Sequence, residues 1–396
     1  MAAMWLGFML ACPAVAVLFA LGERWLLGGR WLYFELPARN AFVDFYPFGY
    51  YPEQDCAPGI EDGQRPYIEW RCPWHRRGLV ARFDWRCPGA CPPVGRAPRD
   101  PWAVFAAPGE LRRLLAIASR DFDAGRADRV VVFQGGVTAL SEAFGENATA
   151  WAATAAQLRQ FFRATFYYVK DVELGGISTA PIALPLWFFR EEGLLRSAAR
   201  AIAAARTDGT GKSRGVLVTG SEVQGHGSQR HLRLAFESAS EASWKRRWRK
   251  WTPPSLSVSQ RAFEERLQLG QWAGTAAAAL AGVEARSFNP GSWWGQLASF
   301  RFLACPLGSE VQTHKVIEAL LVLTIPIVRR GQYPVYGDLL RLGFPLAIVD
   351  DWPEITPQKL DEWWSTLAPR LPAFRSKCMT ADGYWRIFVS QDHRCL

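Results

Sequence analysis

The sequence predicts an α/β protein of two mostly parallel-sheet domains, 102–210 and 211–375. A membrane helix (1–22) and a Cys/Pro-rich stem or lead-in (23–101) precede them, and a short tail (376–396) follows. Three observations predict this. From residue 102 onward, short β-branched runs alternate with stretches of helical periodicity, the pattern of strands joined by crossover helices. A length of 396 residues is ample for two cores. The first 22 residues carry no charged side chain.

That uncharged run is long enough to cross a bilayer as a helix, with Pro13 a source of a kink. It reads as a signal-anchor; a signal peptide cleaved near Ala20-Leu21-Gly22 is the alternative. Arg24 and Arg30 follow it, which by the positive-inside rule favours a cytosolic body. Two features oppose this. Asn147-Ala148-Thr149 is a glycosylation sequon. Setting aside Cys12 and Cys305, six cysteines remain, clustered at 56, 72, 87 and 91 and at 378 and 395. They read as two disulfides in the stem and one closing the tail. His75 near Cys72 raises zinc, but the paired knuckle spacing is missing. The expectation is therefore a single-pass type II protein of the Golgi or ER membrane with a lumenal body.

RCPGACPPVGRAPRDP (86–101) is too rich in Pro, Gly and Arg for a core element. A helix is expected over 110–122 and a buried strand at 129–136. A second helix follows at 150–163, then strands at 165–171 and 181–188. An Ala-rich helix spans 196–206, and RGVLVTG (214–220) opens the next set of elements. The loop between contains GTGKS and GKSRG, fragments of phosphate-loop and nucleophile-elbow patterns. Both patterns need a strand before and a helix after, and here the order is reversed, so neither is functional. KRRWRKW (245–251) reads as a solvated helix face with tryptophans turned inward, not as a nucleic-acid site. The net charge of +9 suits a phosphorylated small molecule, a membrane surface or a polyanion without choosing among them.

Residues 300–367 carry the clearest pattern. Strands are expected at 300–305, 324–330 and 345–352, and helices at 313–323, 334–343 and 355–367. Thr313 and Thr356 are N-caps, Pro357 is the first helical residue, and Gly343 is a C-terminal stop. Right-handed crossovers make this βαβαβα unit a parallel sheet, with ligands beyond the carboxyl ends of its strands. Two loops, Cys305–Thr313 and Arg329–Tyr333, line one crevice there. Backbone N–H groups at the start of the 313–323 helix, with Lys315 and Arg329, suit a diphosphate. His314 and Glu318 share one helix face, and Glu318 can accept from ribose hydroxyls or pair locally with an arginine. Val316, Ala319, Leu320 and Leu323 form the apolar face.

The run FLACPLGSEVQTHKVIEAL, with the IPIV, YPVYGDL and LAIVDDWPEIT segments after it, resembles the C-terminal signature of exostosin-like glycosyltransferases, especially divergent protist and algal members. Pro306, Gly308, His314, Glu318, Ala319 and Leu320 match it, as do Pro326, Tyr336, Asp338, Asp350, Asp351 and Trp352. Residues 166–188 are similar, more faintly, to the acceptor-domain segment of such proteins.

The resemblance implies a GT-B fold of two Rossmann-like domains facing a cleft. It implies a glycosyltransferase of the secretory pathway that uses a nucleotide-diphosphate sugar as donor and a glycan or glycoprotein hydroxyl as acceptor. No cofactor or metal is implied, so Asp121-Phe122-Asp123 reads as a solvated helix end. The expected donor-binding set is Gly308, Ser309, Thr313, His314, Lys315, Glu318, Arg329 and Tyr336, with Asp171, His226 and His231 as candidates for the catalytic base. The sequence departs from the family pattern at Leu307, Glu310, Gln312 and Ile317. Glu310 and Glu318 form an E-x7-E spacing seen in other GT-B enzymes. The alternative expectation is an inactive exostosin-like protein that binds glycans or assembles with a partner.

Overall fold

The computed structural model describes residues 82–87, 100–126, 128–134, 138–182, 192–208, 211–219, 258–308 and 311–396. The expected membrane helix, most of the Cys-rich segment, the basic segment 245–251, His226, His231, Ser309 and Glu310 lie outside the described residues.

The first lobe is built on a five-stranded parallel sheet: β1 (Trp85–Cys87), β2 (Ala103–Ala106), β3 (Val130–Phe133), β4 (Ala164–Tyr167) and β5 (Ile177–Thr179), in sequence order. Every residue of β2, β3 and β4 is buried, as central parallel strands require. Helix α1 (Leu111–Asp121) joins β2 to β3, burying Leu111, Leu114, Leu115 and Ala118 at helical spacing. Helices α2 (Leu140–Phe144) and α3 (Ala148–Phe161) join β3 to β4. The sequon's Asn147 is the exposed N-cap of α3, accepting from the Ala150 N–H at 3.0 Å.

The second lobe begins with α4 (Glu192–Ala204) and a second parallel sheet. Its strands are β6 (Arg214–Val218), β7 (Val283–Ala285), β8 (Phe300–Ala304), β9 (Ile325–Arg329) and β10 (Ala347–Val349). Between them run α5 (Val258–Ala273), α6 (Ala276–Leu280), α7 (Pro290–Leu297), α8 (Lys315–Leu321) and α9 (Val335–Arg341). Helices α10 (Pro357–Leu367), α11 (Leu371–Cys378) and α12 (Ala381–Val389) complete the chain. The sheet order is β10-β9-β8-β6-β7. The chain first adds β7 on one side of β6 and then returns to add β8, β9 and β10 on the other. The order reverses between β6 and β8, the switch point at which open parallel sheets form a ligand crevice.

Local chemistry explains the ends of these elements. Thr356 caps α10 through the Lys359 N–H, and Pro357 is its first residue, as expected. Gly343 follows α9 with φ of 95°, a conformation that favours glycine. Lys212 of the GTGKS loop lies at the amino end of the second sheet's strands, opposite the switch-point exits. Its ammonium donates to the Val322 carbonyl at 2.8 Å and to Thr324 Oγ1 at 2.6 Å. Burial lowers its pKa to about 7.

Three sequence expectations are corrected. The stem does not extend to residue 101, because Trp85–Cys87 pairs with β2 as the outer strand of the first sheet. A strand was expected at 181–188; the strand that pairs with β4 is instead Ile177–Thr179, and residues 183–190 lie outside the described residues. The segment after 375 is not a tail. Helix α12 packs on β3 and β4, with Phe388 edge-on to Phe166 at 5.0 Å and Trp385 against Phe83 at 5.2 Å. The expected Cys378–Cys395 disulfide closes this segment.

The lobes meet through buried polar groups. Asp338 on α9 is 2% exposed and accepts from Lys170 Nζ at 2.9 Å and from the N–H and hydroxyl of Thr179, both at 2.8 Å. Arg341 reaches its other oxygen. Lys170 is fully buried, with the exposed Glu173 its second acidic neighbour at 3.3 Å. Removing one partner of a buried pair costs about 3–5 kcal/mol. We expect Asp338→Ala to lower the urea midpoint by roughly 3 kcal/mol of stability, and Asp338→Ala with Lys170→Met to recover part of it. Equal midpoints for the single and double variants would show that Lys170 finds full compensation elsewhere.

Candidate functional site

The β6/β8 crevice is lined by the exits of those strands. Beyond β8, Cys305 continues the ladder by donating its N–H to the Ile327 carbonyl at 2.8 Å, and the chain then loops through Pro306–Thr313 into α8. Gly308 is required by close approach: a Cβ there would lie 2.9 Å from the Gln312 carbonyl, because the loop folds back on itself. Lys315, the first residue of α8, reaches across the crevice and donates from Nζ to the Thr219 carbonyl just past β6 at 2.9 Å. One cation thus spans the switch point.

Behind Lys315 sits a His–Glu pair. His314 Nε2 lies 3.6 Å from Glu318 Oε1, and Glu318 Oε2 accepts from the Trp293 indole of α7 at 2.8 Å. Glu318 is 2% exposed, and its Oε1 has no hydrogen-bond partner among the described residues. Burial pushes its carboxyl up to about 7, opposed by Lys315 and the Trp293 bond. Burial and then Lys315 push His314 down to about 4. Near pH 7 the pair is a neutral imidazole beside a carboxyl poised to gain or lose a proton. Such a pair can exchange hydrogen bonds with hydroxyls or pass a proton between them.

Helix α8 differs from the amphipathic helix expected. Val316 through Leu321 are all buried, so Glu318 does not lie on an open face; Trp293 covers it. The helix begins at Lys315 with His314 as N-cap, and Thr313 contributes only a 3.4 Å contact from its hydroxyl to the Lys315 N–H. Thr313 itself is 5% exposed.

Gln312, one of the positions at which the sequence departs from the exostosin-like pattern, is committed to the first lobe. Its amide nitrogen donates to the Tyr168 and Ala180 carbonyls at 2.8 and 2.9 Å, and its oxygen accepts from the Ile182 N–H at 3.0 Å. It anchors the loop to the first lobe. Leu307 is also buried, its N–H donating to Glu265 Oε1 at 3.2 Å.

The other expected residues are dispersed. Tyr336 is 2% exposed, its hydroxyl has no partner among the described residues, and burial raises its pKa well above the ordinary value, so it belongs to the core. Arg329 lies at the β9 exit, donating from Nε to the Asp350 carbonyl at 2.9 Å and from Nη1 to Gln268 at 2.5 Å. Asp350 and Asp351 form a corner: Asp351 caps the turn Trp352–Glu354 in a capping box. Asp171 accepts from the N–H and hydroxyl of Ser141 at 3.0 and 2.5 Å, fastening α2. Burial raises the Tyr333 phenol, opposed by Arg261 and helped by the charges of Asp171 and Glu265.

Sequence reasoning missed Glu265. It is 6% exposed, bonded to the glycine loop, and pushed by burial up to about 7, opposed by the Leu307 N–H and then Arg329. The signal was available: Ala262, Leu269 and Trp272 mark the buried stripe of α5, and Glu265 falls on it.

No family model matches the sequence, and no similar curated protein is found. Among solved structures, the chain is similar to that of the glycotransferase of kitacinnamycin. The two share 12% identity over 84% of this chain and 82% of that one, with a TM-score of 0.28. At that level the functional reading rests on this chain's own geometry.

The two buried acids set a pH dependence. Each binds its proton more tightly folded, near 7, than at the ordinary 4.5, so each contributes stability below pH 4.5 that is lost as pH rises through 7. The loss is at most about 3 kcal/mol per group. Glu265→Gln and Glu318→Gln should each gain stability relative to the unsubstituted protein between pH 5 and 8, measured by urea unfolding. A difference that does not change with pH in that window would mean the substituted acid is not held near neutrality.

Proposed function

We propose that this chain is a glycosyltransferase of the metal-independent GT-B type, exostosin-like in its second lobe. It takes a nucleotide-diphosphate sugar at the β6/β8 crevice and transfers the sugar to a glycan or glycoprotein hydroxyl. The observation that carries the reading is the switch point itself, spanned by Lys315 and backed by the His314–Glu318 pair. Open parallel sheets bind ligands where strand order reverses, and a lysine there supplies charge to a diphosphate.

In this reading Lys315 leaves the Thr219 carbonyl for a phosphate oxygen and steadies the departing diphosphate. Gly308 lets the loop backbone approach the phosphates. Glu318 and His314 accept from and donate to hydroxyls of the ribose or sugar. Asp171, held in place by Ser141, is the base that takes the acceptor proton. The Cys378–Cys395 disulfide supports an oxidising compartment, consistent with a Golgi or ER lumenal body anchored by the first 22 residues.

A second reading has an observation of its own. Leu307 and Gln312 are buried, and Gln312 is committed to the first lobe, so the loop presents no side-chain cation between Pro306 and Gly308. A non-catalytic relative that binds glycans or assembles with a partner would tolerate that arrangement.

Thermal unfolding of the full chain with UDP-, GDP-, ADP- and dTDP-sugars separates the two. A donor bound only by the folded state stabilises by about 2.7 kcal/mol at a hundredfold excess over Kd. We expect a raised Tm with one nucleotide class and at least about a tenfold weaker Kd in Lys315→Met, the cost of one charge-assisted contact. No shift with any nucleotide sugar would discard the transferase reading in favour of the second.

A further inference from the structure

The triplet Asn147-Ala148-Thr149 takes no part in the proposed reaction. The chain has three asparagines, Asn40, Asn147 and Asn289, and only Asn147 has a serine or threonine two residues on. A glycan linked to asparagine through that triplet therefore has one place on this chain.

The fold presents the triplet outward. Gly145 ends α2 with φ of 133°, and a Cβ there would lie 2.6 Å from the Ala150 Cβ, so the chain turns sharply into α3. The Trp151 indole pins this turn, donating to the Ser141 and Gly145 carbonyls at 2.9 and 2.8 Å. Asn147, Ala148 and Thr149 follow, all three exposed. The two ends of the Asn147 amide have separate roles. Oδ1 accepts from the Ala150 N–H at 3.0 Å, and because that partner is a donor, the capping atom must be the oxygen. An N-linked glycan replaces a hydrogen of Nδ2 and leaves Oδ1 an acceptor. The cap of α3 survives the modification.

Space for a bulky group lies beside the site. A groove of about 640 Å³ runs between α1 and α3, with Asn147 and Arg112 toward one end and Gln157 and Ser119 toward the other. The small side chains of Ala116 and Ala153, both exposed, keep it open. The first sugars of a glycan on Nδ2 thus meet solvent and alanine methyls instead of packed backbone.

We propose that Asn147 is a modification site carrying an N-linked glycan at the mouth of the α1/α3 groove. The inference rests on the lumenal reading of the body and is independent of whether a nucleotide sugar binds the β6/β8 crevice. In the transfer, Asn147 Nδ2 forms a bond to the anomeric carbon of an oligosaccharide carried on a lipid diphosphate. The bond from that carbon to the diphosphate oxygen breaks, and the lipid diphosphate leaves with its electron pair. One amide proton passes to a base of the host transferring enzyme.

Expression of the full chain in a eukaryotic secretory host tests this. A long Gly/Ser-rich tail bearing one Asn-Gly-Thr, appended after Leu396, reports whether the body reaches the lumen. An amidase that releases N-linked glycans, used in heavy-oxygen water, leaves an isotope-labelled aspartate at each occupied asparagine, and peptide mass spectrometry locates the label. We expect label both at Asn147 and in the tail. Asn147→Asp keeps an oxygen for the Ala150 N–H, and Thr149→Ala leaves the cap untouched. Each should remove one of the two glycan-dependent electrophoretic shifts and keep the Tm of the deglycosylated, unsubstituted chain. Label in the tail with Asn147 unlabelled overturns the proposal while the lumenal reading stands. Label at neither place shows that the body is not lumenal and overturns both. Both shifts persisting in Thr149→Ala also overturns the proposal.

Discussion

A parallel strand has two faces to bury, and the first sheet cannot bury both with its own crossovers. Because β1 to β5 follow one another in sequence order, right-handed crossovers all advance in the same direction, and those through α1 and through α2 and α3 lie on the same side. The other side is covered from the far end of the chain by α12, through Phe388, Trp385 and Tyr384. Just before α12, α11 packs against α8, and Arg375 donates to the Leu321 and Ile202 carbonyls. The last two helices therefore belong to both lobes. Their attachment sets where the glycine loop of the second lobe meets the first.

Two buried polar side chains join the lobes. Asp338 collects Lys170 and both donors of Thr179, while Gln312 satisfies three backbone groups around Tyr168, Ala180 and Ile182. Buried polar groups of this kind are costly unless fully paired, so they specify one docking geometry more than they add net stability. Their location matters for function. Gln312 lies two residues before His314, so the contact that fixes the lobes also fixes the start of α8 and the lysine spanning the switch point.

Burial governs the electrostatics of this half of the molecule. Glu265, Glu318, His314 and Lys212 are all moved toward their neutral forms, and in each the largest cause is removal from water. A net charge of +9 over the whole chain thus coexists with a site whose interior is close to neutral. Lys315 gains importance from that contrast, since a single cation in a weakly polarisable crevice acts over a longer range than one on the open surface.

Much of the second lobe was legible in the sequence. The alternation of 300–367 set β8, β9 and β10 and their helices, the Thr356 cap and the Gly343 stop followed from single-residue chemistry, and the spacing of Cys378 and Cys395 marked a disulfide. These features depend on neighbours within a few turns, which periodicity and capping rules encode. The roles of Gln312, Asp338 and Glu265 were not legible in that way. Their partners lie 130, 168 and 42 residues distant, brought near only when two sheets and the returning C-terminal helices pack. Local sequence determined which elements form and where they end. Tertiary packing decided which polar side chains face a crevice and which are spent joining the lobes, because desolvation and hydrogen bonding act on atoms that local spacing never places together.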